Sequence, residues 1–151
     1  MAINPYPIVY SSTDLQVNDF ISDGVQALKK RVRFQLINEK NKMYNLSICT
    51  VLEDGTEDCN TASRNGDMDK IFKTIAQIVL DYTTKYPNRK IYFEGSDTLR
   101  VRQYQLTVFS NHSDILPIFF IEGIVLNNDG TISIYEYIPG KNYKAFIFTR
   151  K

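Results

Sequence analysis

The spacing of apolar residues changes period along this chain, and that change limits what it can fold into. Over residues 31–37 the period is two. Val32, Phe34 and Leu36 alternate with Arg31, Arg33 and Gln35, the pattern of a strand buried on one face. From Met68 the apolar positions are Ile71, Phe72, Ile75, Ile78, Val79 and Tyr82, the stripe of an amphipathic helix over about 67–85. Asn65-Gly66-Asp67 is a turn signal at its entry. Asp67 is placed as the N-cap, and Asp69 sits in the first turn, where carboxylates favour the helix dipole. Tyr86-Pro87 ends the helix, because proline disfavours helical backbone in the residue before it.

The remaining segments read mostly as strands: 8–10, 17–22, 44–52, a return over 57–63, then 90–94, 118–126, 131–138 and 143–149. A second helix is expected over about 97–110, capped by Ser96, with Leu99, Leu106 and Phe109 on one side and Val101, Tyr104 and Val108 on the other. The grouping predicts one α+β domain over residues 1–151, a largely antiparallel sheet with two main helices packed on it.

Charge and composition narrow the function. The 18 basic and 17 acidic side chains leave a net charge of +1, which excludes a bulk polycation; any nucleic-acid contact must come from a local patch. At 43% hydrophobic the chain is not disordered. The start shows no basic, apolar leader pattern. The longest apolar run, 115–125, is broken by Pro117, Glu122 and Gly123 and falls short of the ~20 residues that span a bilayer. A soluble, cytoplasmic protein without a membrane partner is expected.

Cys49 and Cys59 flank the turn Glu53-Asp54-Gly55. A three-residue loop with left-handed Gly55 sets Cys49 opposite Cys59, whereas a two-residue Asp-Gly loop sets Thr50 there. A cross-strand thiol pair is compatible with the first. In a reducing cytosol two free cysteines are the expectation.

Most catalytic signatures are missing. The sequence contains no phosphate loop, no Gly-x-Gly-x-x-Gly after a strand and no metal-ligand spacing, so neither cofactor nor metal is expected. The single histidine, His112, lies in the polar stretch Ser110-Asn111-His112-Ser113-Asp114 and reads as solvated. Two features remain. In Gly95-Ser96-Asp97-Thr98-Leu99-Arg100-Val101-Arg102-Gln103-Tyr104, a helix start with its hydroxyls would bind an anion, and Arg100 would stack on Tyr104 one turn on. The plainer reading has Ser96 capping, Arg100 solvated, and Arg102 paired with Asp67, Asp81 or Glu94. The second feature is uneven charge. Residues 28–42 hold Lys29, Lys30, Arg31, Arg33, Lys40 and Lys42 against Glu39, while residues 53–69 hold six acids against Arg64. Arg31 and Arg33 form a secondary basic face that would track a phosphate backbone or simply be solvated, and the acidic hairpin would serve self-association equally well.

Asn65-Gly66-Asp67 with Asp69-Lys70, Tyr86-Pro87, Gly95-Ser96 with Arg100-x-Arg102-x-Tyr104, and Asn142-Tyr143-x-Ala145-Phe146 together resemble a family of small uncharacterised bacterial proteins, a domain of unknown function. The match runs from about residue 17 to the end. Asp97 and Val101 stand where the family pattern leads one to expect threonine. The resemblance implies a bacterial source and an α+β fold, and transfers no activity. The residues favour a non-enzymatic binding or interaction domain with a candidate surface of Asn65, Asp67, Lys70, Ser96, Arg100, Arg102 and Tyr104. Its partner would be nucleic acid, a phosphate-bearing ligand or another protein. The alternatives are a metal-independent, RNase-like phosphodiesterase and a structural, self-associating protein.

Overall fold

The computed structural model describes residues 4–60, 64–94 and 112–151. They form nine strands, one long helix and one single-turn helix. The strands are β1 (Ile8–Ser11), β2 (Val17–Asp23), β3 (Ala27–Asn38), β4 (Met43–Val51), β5 (Glu57–Asp58), β6 (Lys90–Glu94), β7 (Phe119–Leu126), β8 (Ile132–Glu136) and β9 (Ala145–Arg150). The long helix is α1 (Met68–Lys85), and α2 (His112–Ile115) is one turn.

The expectation of an α+β fold with two main helices does not hold. The described residues are dominated by strands, with α1 as their one long helix. The physical reason is in the periods: among these residues only the 68–85 stretch sustains a 3.6 repeat for several turns, while the other apolar runs are short and suit strands. The second helix expected over 97–110 lies outside the described residues.

The chain divides into two units. The first comprises Met1–Gln35 and Leu46–Pro87. Here the strand order is β1-β2-β3-β4, with β5 beside β4. The β2–β3 pair is antiparallel from Val17 opposite Arg33 to Asp23 opposite Ala27. Alternation buries Val32 and Phe34. The α1 stripe buries Ile71, Phe72, Ile75, Ile78, Val79 and Tyr82, as its spacing requires. The two patterns meet where Phe34 stacks on Tyr82, ring centroids 3.8 Å apart. Thr74 and Thr83 share the buried face because each hydroxyl donates to a carbonyl one turn back, Lys70 at 2.7 Å and Val79 at 2.8 Å. The helix ends as expected, with the Tyr86 N–H bonded to the Tyr82 carbonyl at 2.9 Å before Pro87.

The expectation of two free cysteines is also overturned, because Cys49 and Cys59 form a disulfide. The turn takes the three-residue form. Thr56 accepts the Leu52 N–H at 2.8 Å, Leu52 accepts the Gly55 N–H at 2.9 Å, and Gly55 has φ +86°. With Thr50 opposite Asp58 and Val51 opposite Glu57, one further step sets Cys49 against Cys59.

The second unit comprises Leu36–Asn45 and Asn88–Lys151, with strand order β6-β9-β7-β8. The β6–β9, β9–β7 and β7–β8 pairs are all antiparallel. Ile124, Ala145 and Ile147 form a buried cluster with Met43 and Tyr92 against it. Phe146 contacts Tyr137 and Tyr143 edge-on, both centroids 6.0 Å away. A Cβ at position 123 would lie 2.2 Å from Tyr143 Cδ1, so any side chain there has to displace the ring. Among the described residues no helix is long and apolar enough to cross a membrane.

These contacts set two expected stability losses, read by urea unfolding. Phe34→Ala removes a ring packed on Tyr82 and lowers stability by about 3–5 kcal/mol. Gly123→Ala drives a methyl into Tyr143 and lowers it by about 1–3 kcal/mol.

Candidate functional site

The start of α1 is built on the turn that Asn65-Gly66-Asp67 signals. Gly66 has φ +78°, a conformation glycine adopts without steric strain. It lets Asn65 and Asp67 face different neighbours. Asn65 is buried, and its side chain is fully engaged. Its amide donates to Ser22 Oγ at 2.9 Å and to the Gln26 carbonyl at 2.7 Å, and its Oδ1 accepts the Gln26 N–H at 2.9 Å. Its own carbonyl accepts the Val25 N–H at 2.9 Å. Asn65 therefore clamps the turn between β2 and β3, with both amide N–H groups engaged inside the chain.

Asp67 is different. It occupies the N-cap position, yet its side chain makes no capping hydrogen bond. Oδ2 instead accepts two hydroxyls, Tyr6 Oη and Ser22 Oγ, each at 2.5 Å. Oδ1 is buried and has no hydrogen-bond partner among the described residues. An unsatisfied buried oxygen is unfavourable, the more so on a charged group. Tyr6 is pinned at both ends: its hydroxyl accepts the Asp23 N–H at 3.0 Å, and its own N–H donates to Thr74 Oγ1 at 2.8 Å. Burial, then the bond to Asp67, raises the Tyr6 phenol above its ordinary pKa of 10.0. It stays protonated at neutral pH and acts there as a donor. The Lys70 ammonium lies over the Tyr6 ring, 4.5 Å from its centroid.

Asp67, Lys70 and Asn65 thus come together at one helix start, as their spacing suggested. Tyr6 and Ser22, which complete the cluster, carried no comparable signal: Tyr6 sits between two prolines far upstream, and Ser22 is one polar residue in a strand. Ser96, Arg100, Arg102 and Tyr104 lie outside the described residues.

The secondary basic face is paired internally. Asp19, 1% exposed, receives Arg31 Nε at 2.8 Å and Nη2 at 2.9 Å, with Lys29 Nζ 3.7 Å away. Glu57 receives Arg33 Nε at 2.9 Å and Nη2 at 2.6 Å, and Arg31 Nη1 at 3.5 Å. Such forked guanidinium–carboxylate pairs are the strong kind. So Arg31 and Arg33 are not simply solvated, and one acid of the hairpin answers them within the chain. Lys30, buried, donates to Thr50 Oγ1 at 2.7 Å. Among the described residues no group of acidic, histidine and cysteine side chains is placed to hold a metal ion.

These observations define a strand-rich protein with a hydrogen-bonded carboxylate at the start of its long helix and a charge-paired strand. The chain belongs to the Family of unknown function (DUF6934), whose model matches residues 3–151. No curated protein and no solved structure matches it.

The ion pairs set a pH dependence. Hydrogen bonds from Arg33, followed by the attraction of both guanidinium groups, hold Glu57 below its ordinary pKa of 4.5. A carboxylate depressed by folding contributes stability above its unfolded pKa and loses it as pH falls through the folded value. The β5 ladder should therefore persist at pH 5 and loosen only below about 4.5. The Glu57 carboxyl carbon shift, followed by NMR against amide protection of β5, reads this directly.

Proposed function

We propose that this chain is a non-enzymatic binding domain whose site centres on Asp67, with Tyr6, Ser22 and Lys70 around it. The observation that supports the reading is Asp67 Oδ1, a buried acceptor with no donor among the described residues while its twin oxygen takes two. A ligand presenting an N–H or O–H on local opening would satisfy it. Lys70, three residues on, adds a cation beside the same cluster for a ligand that also carries an anionic group. The chemistry of the cluster favours binding over catalysis. Tyr6 is protonated at neutral pH, and its hydroxyl and that of Ser22 are both already engaged as donors to Asp67 Oδ2.

Ser96, Arg100, Arg102 and Tyr104 are proposed, on their sequence pattern, as a separate anion- or nucleic-acid-binding segment. A bacterial, cytoplasmic setting is part of the same reading.

The test is amide NMR of the full chain against acetamide, butylamine, inorganic phosphate and a short oligonucleotide. Donor-bearing probes should shift Asp67, Lys70 and Tyr6. Asp67→Asn, which places an amide donor where Oδ1 or Oδ2 stood, should weaken binding by about tenfold, a difference of roughly 1.4 kcal/mol. Lys70→Ala and Arg100→Ala should each weaken the anionic probes selectively. If no probe moves the Asp67 cluster, the reading falls.

A further inference from the structure

The disulfide and the charge pairs of β3 belong to one small piece of structure. β5 is two residues long and, among the described residues, pairs with the end of β4 alone, Thr50 with Asp58 and Val51 with Glu57. So short a ladder does not hold itself in water. The Cys49–Cys59 crosslink, ten residues apart in sequence, closes the hairpin one step beyond it. Side-chain alternation sets Glu57 and Cys59 on the same face of the hairpin. Glu57 is the residue that covers Arg33 and touches Arg31.

We propose that the Cys49–Cys59 disulfide is a redox latch: reduced, it releases β5, withdraws Glu57 and turns the Arg33–Arg31 face of β3 into a site for the phosphodiester backbone of a single-stranded nucleic acid. The step balances with a dithiol as reductant. One thiolate of the dithiol attacks a latch sulfur, and the other latch sulfur leaves as thiolate. The second thiol of the dithiol then breaks the mixed disulfide. Two electrons and two protons pass to Cys49 and Cys59, and the dithiol ends as its own disulfide.

The charges decide which side chain is freed. In the latched state Lys29, Arg31 and Arg33 face two carboxylates, Asp19 and Glu57. Without Glu57 the same three cations face one. Arg31 keeps both bonds to buried Asp19 and remains a fixed point. Arg33, whose described carboxylate partner is Glu57, gains a free fork of donors, the geometry that grips a phosphate. An extended strand with cations on alternate residues follows a phosphate backbone more naturally than it fits a compact anion. This surface is separate from the Asp67 cluster, so the latch can fail without touching that reading.

The experiment uses the full chain, oxidised or treated with dithiothreitol, and fluorescence anisotropy with labelled oligouridine of about fifteen nucleotides. Reduction should tighten binding about fivefold or more and steepen the salt dependence by about one phosphate contact, a slope change of roughly 0.7. Amide exchange over residues 53–58 should rise about tenfold while α1 stays protected. Glu57→Gln should give the same gain in the oxidised protein, without any need to break the crosslink. Arg33→Gln should abolish the gain in both. Equal affinity before and after reduction overturns the proposal, as does an oxidised Glu57→Gln protein that binds like the parent. Global loss of secondary structure on reduction overturns it too, since the crosslink would then be a staple for the whole fold.

Discussion

One carboxylate oxygen joins three distant parts of this chain. Tyr6 and Ser22 both give their hydroxyl protons to Asp67 Oδ2, so the entry of β1, the end of β2 and the start of α1 meet at a single acceptor. Around it the polar groups relay one another. The Asn65 amide donates to Ser22, whose proton goes to Asp67; the Asp23 N–H donates to Tyr6, whose proton goes there as well. Hydrogen bonds in such a network polarise each other, and their low-dielectric setting strengthens them.

The near-neutral charge of the chain is organised locally. Arg31 and Arg33 project from one face of a strand whose opposite face carries Val32 and Phe34 into the core. Their partners come from either side: Asp19 along β2 and Glu57 across the short β5. Asp19 sits in a continuous ladder with β3, whereas Glu57 rests on two residues of pairing and a crosslink. Two guanidinium groups two residues apart thus differ in how firmly they are neutralised, because their partners differ in how firmly they are held.

Much of the fold was legible where a period ran long enough to exclude alternatives. The α1 stripe and its Tyr86-Pro87 stop gave the helix to within a residue, and the 90–94 strand agrees at both ends. The fold class was not legible, since it required summing many short strands and placing a second helix over 97–110, a stretch outside the described residues. The hairpin shows the same limit in miniature. Both loop lengths satisfied Glu53-Asp54-Gly55, and compartment rather than geometry tipped the cysteines toward free thiols; the three-residue turn reverses that. At the site, the Asn-Gly-Asp signature located the helix start correctly. What it could not reveal was long range: a tyrosine 61 residues upstream and a serine 45 residues upstream supply the protons.

Gly24, in the turn after β2, carries a consequence for how such a sequence can drift. A Cβ at this position would stand 1.9 Å from the Asn65 carbonyl oxygen, inside the very turn that Asn65 clamps. The obstacle is backbone, so no change of rotamer relieves it. Residues 24 and 65 are therefore sterically coupled although they stand 41 positions apart in sequence. A side chain at 24 would push the 65–67 turn away, and with it the carboxylate to which Tyr6 and Ser22 donate.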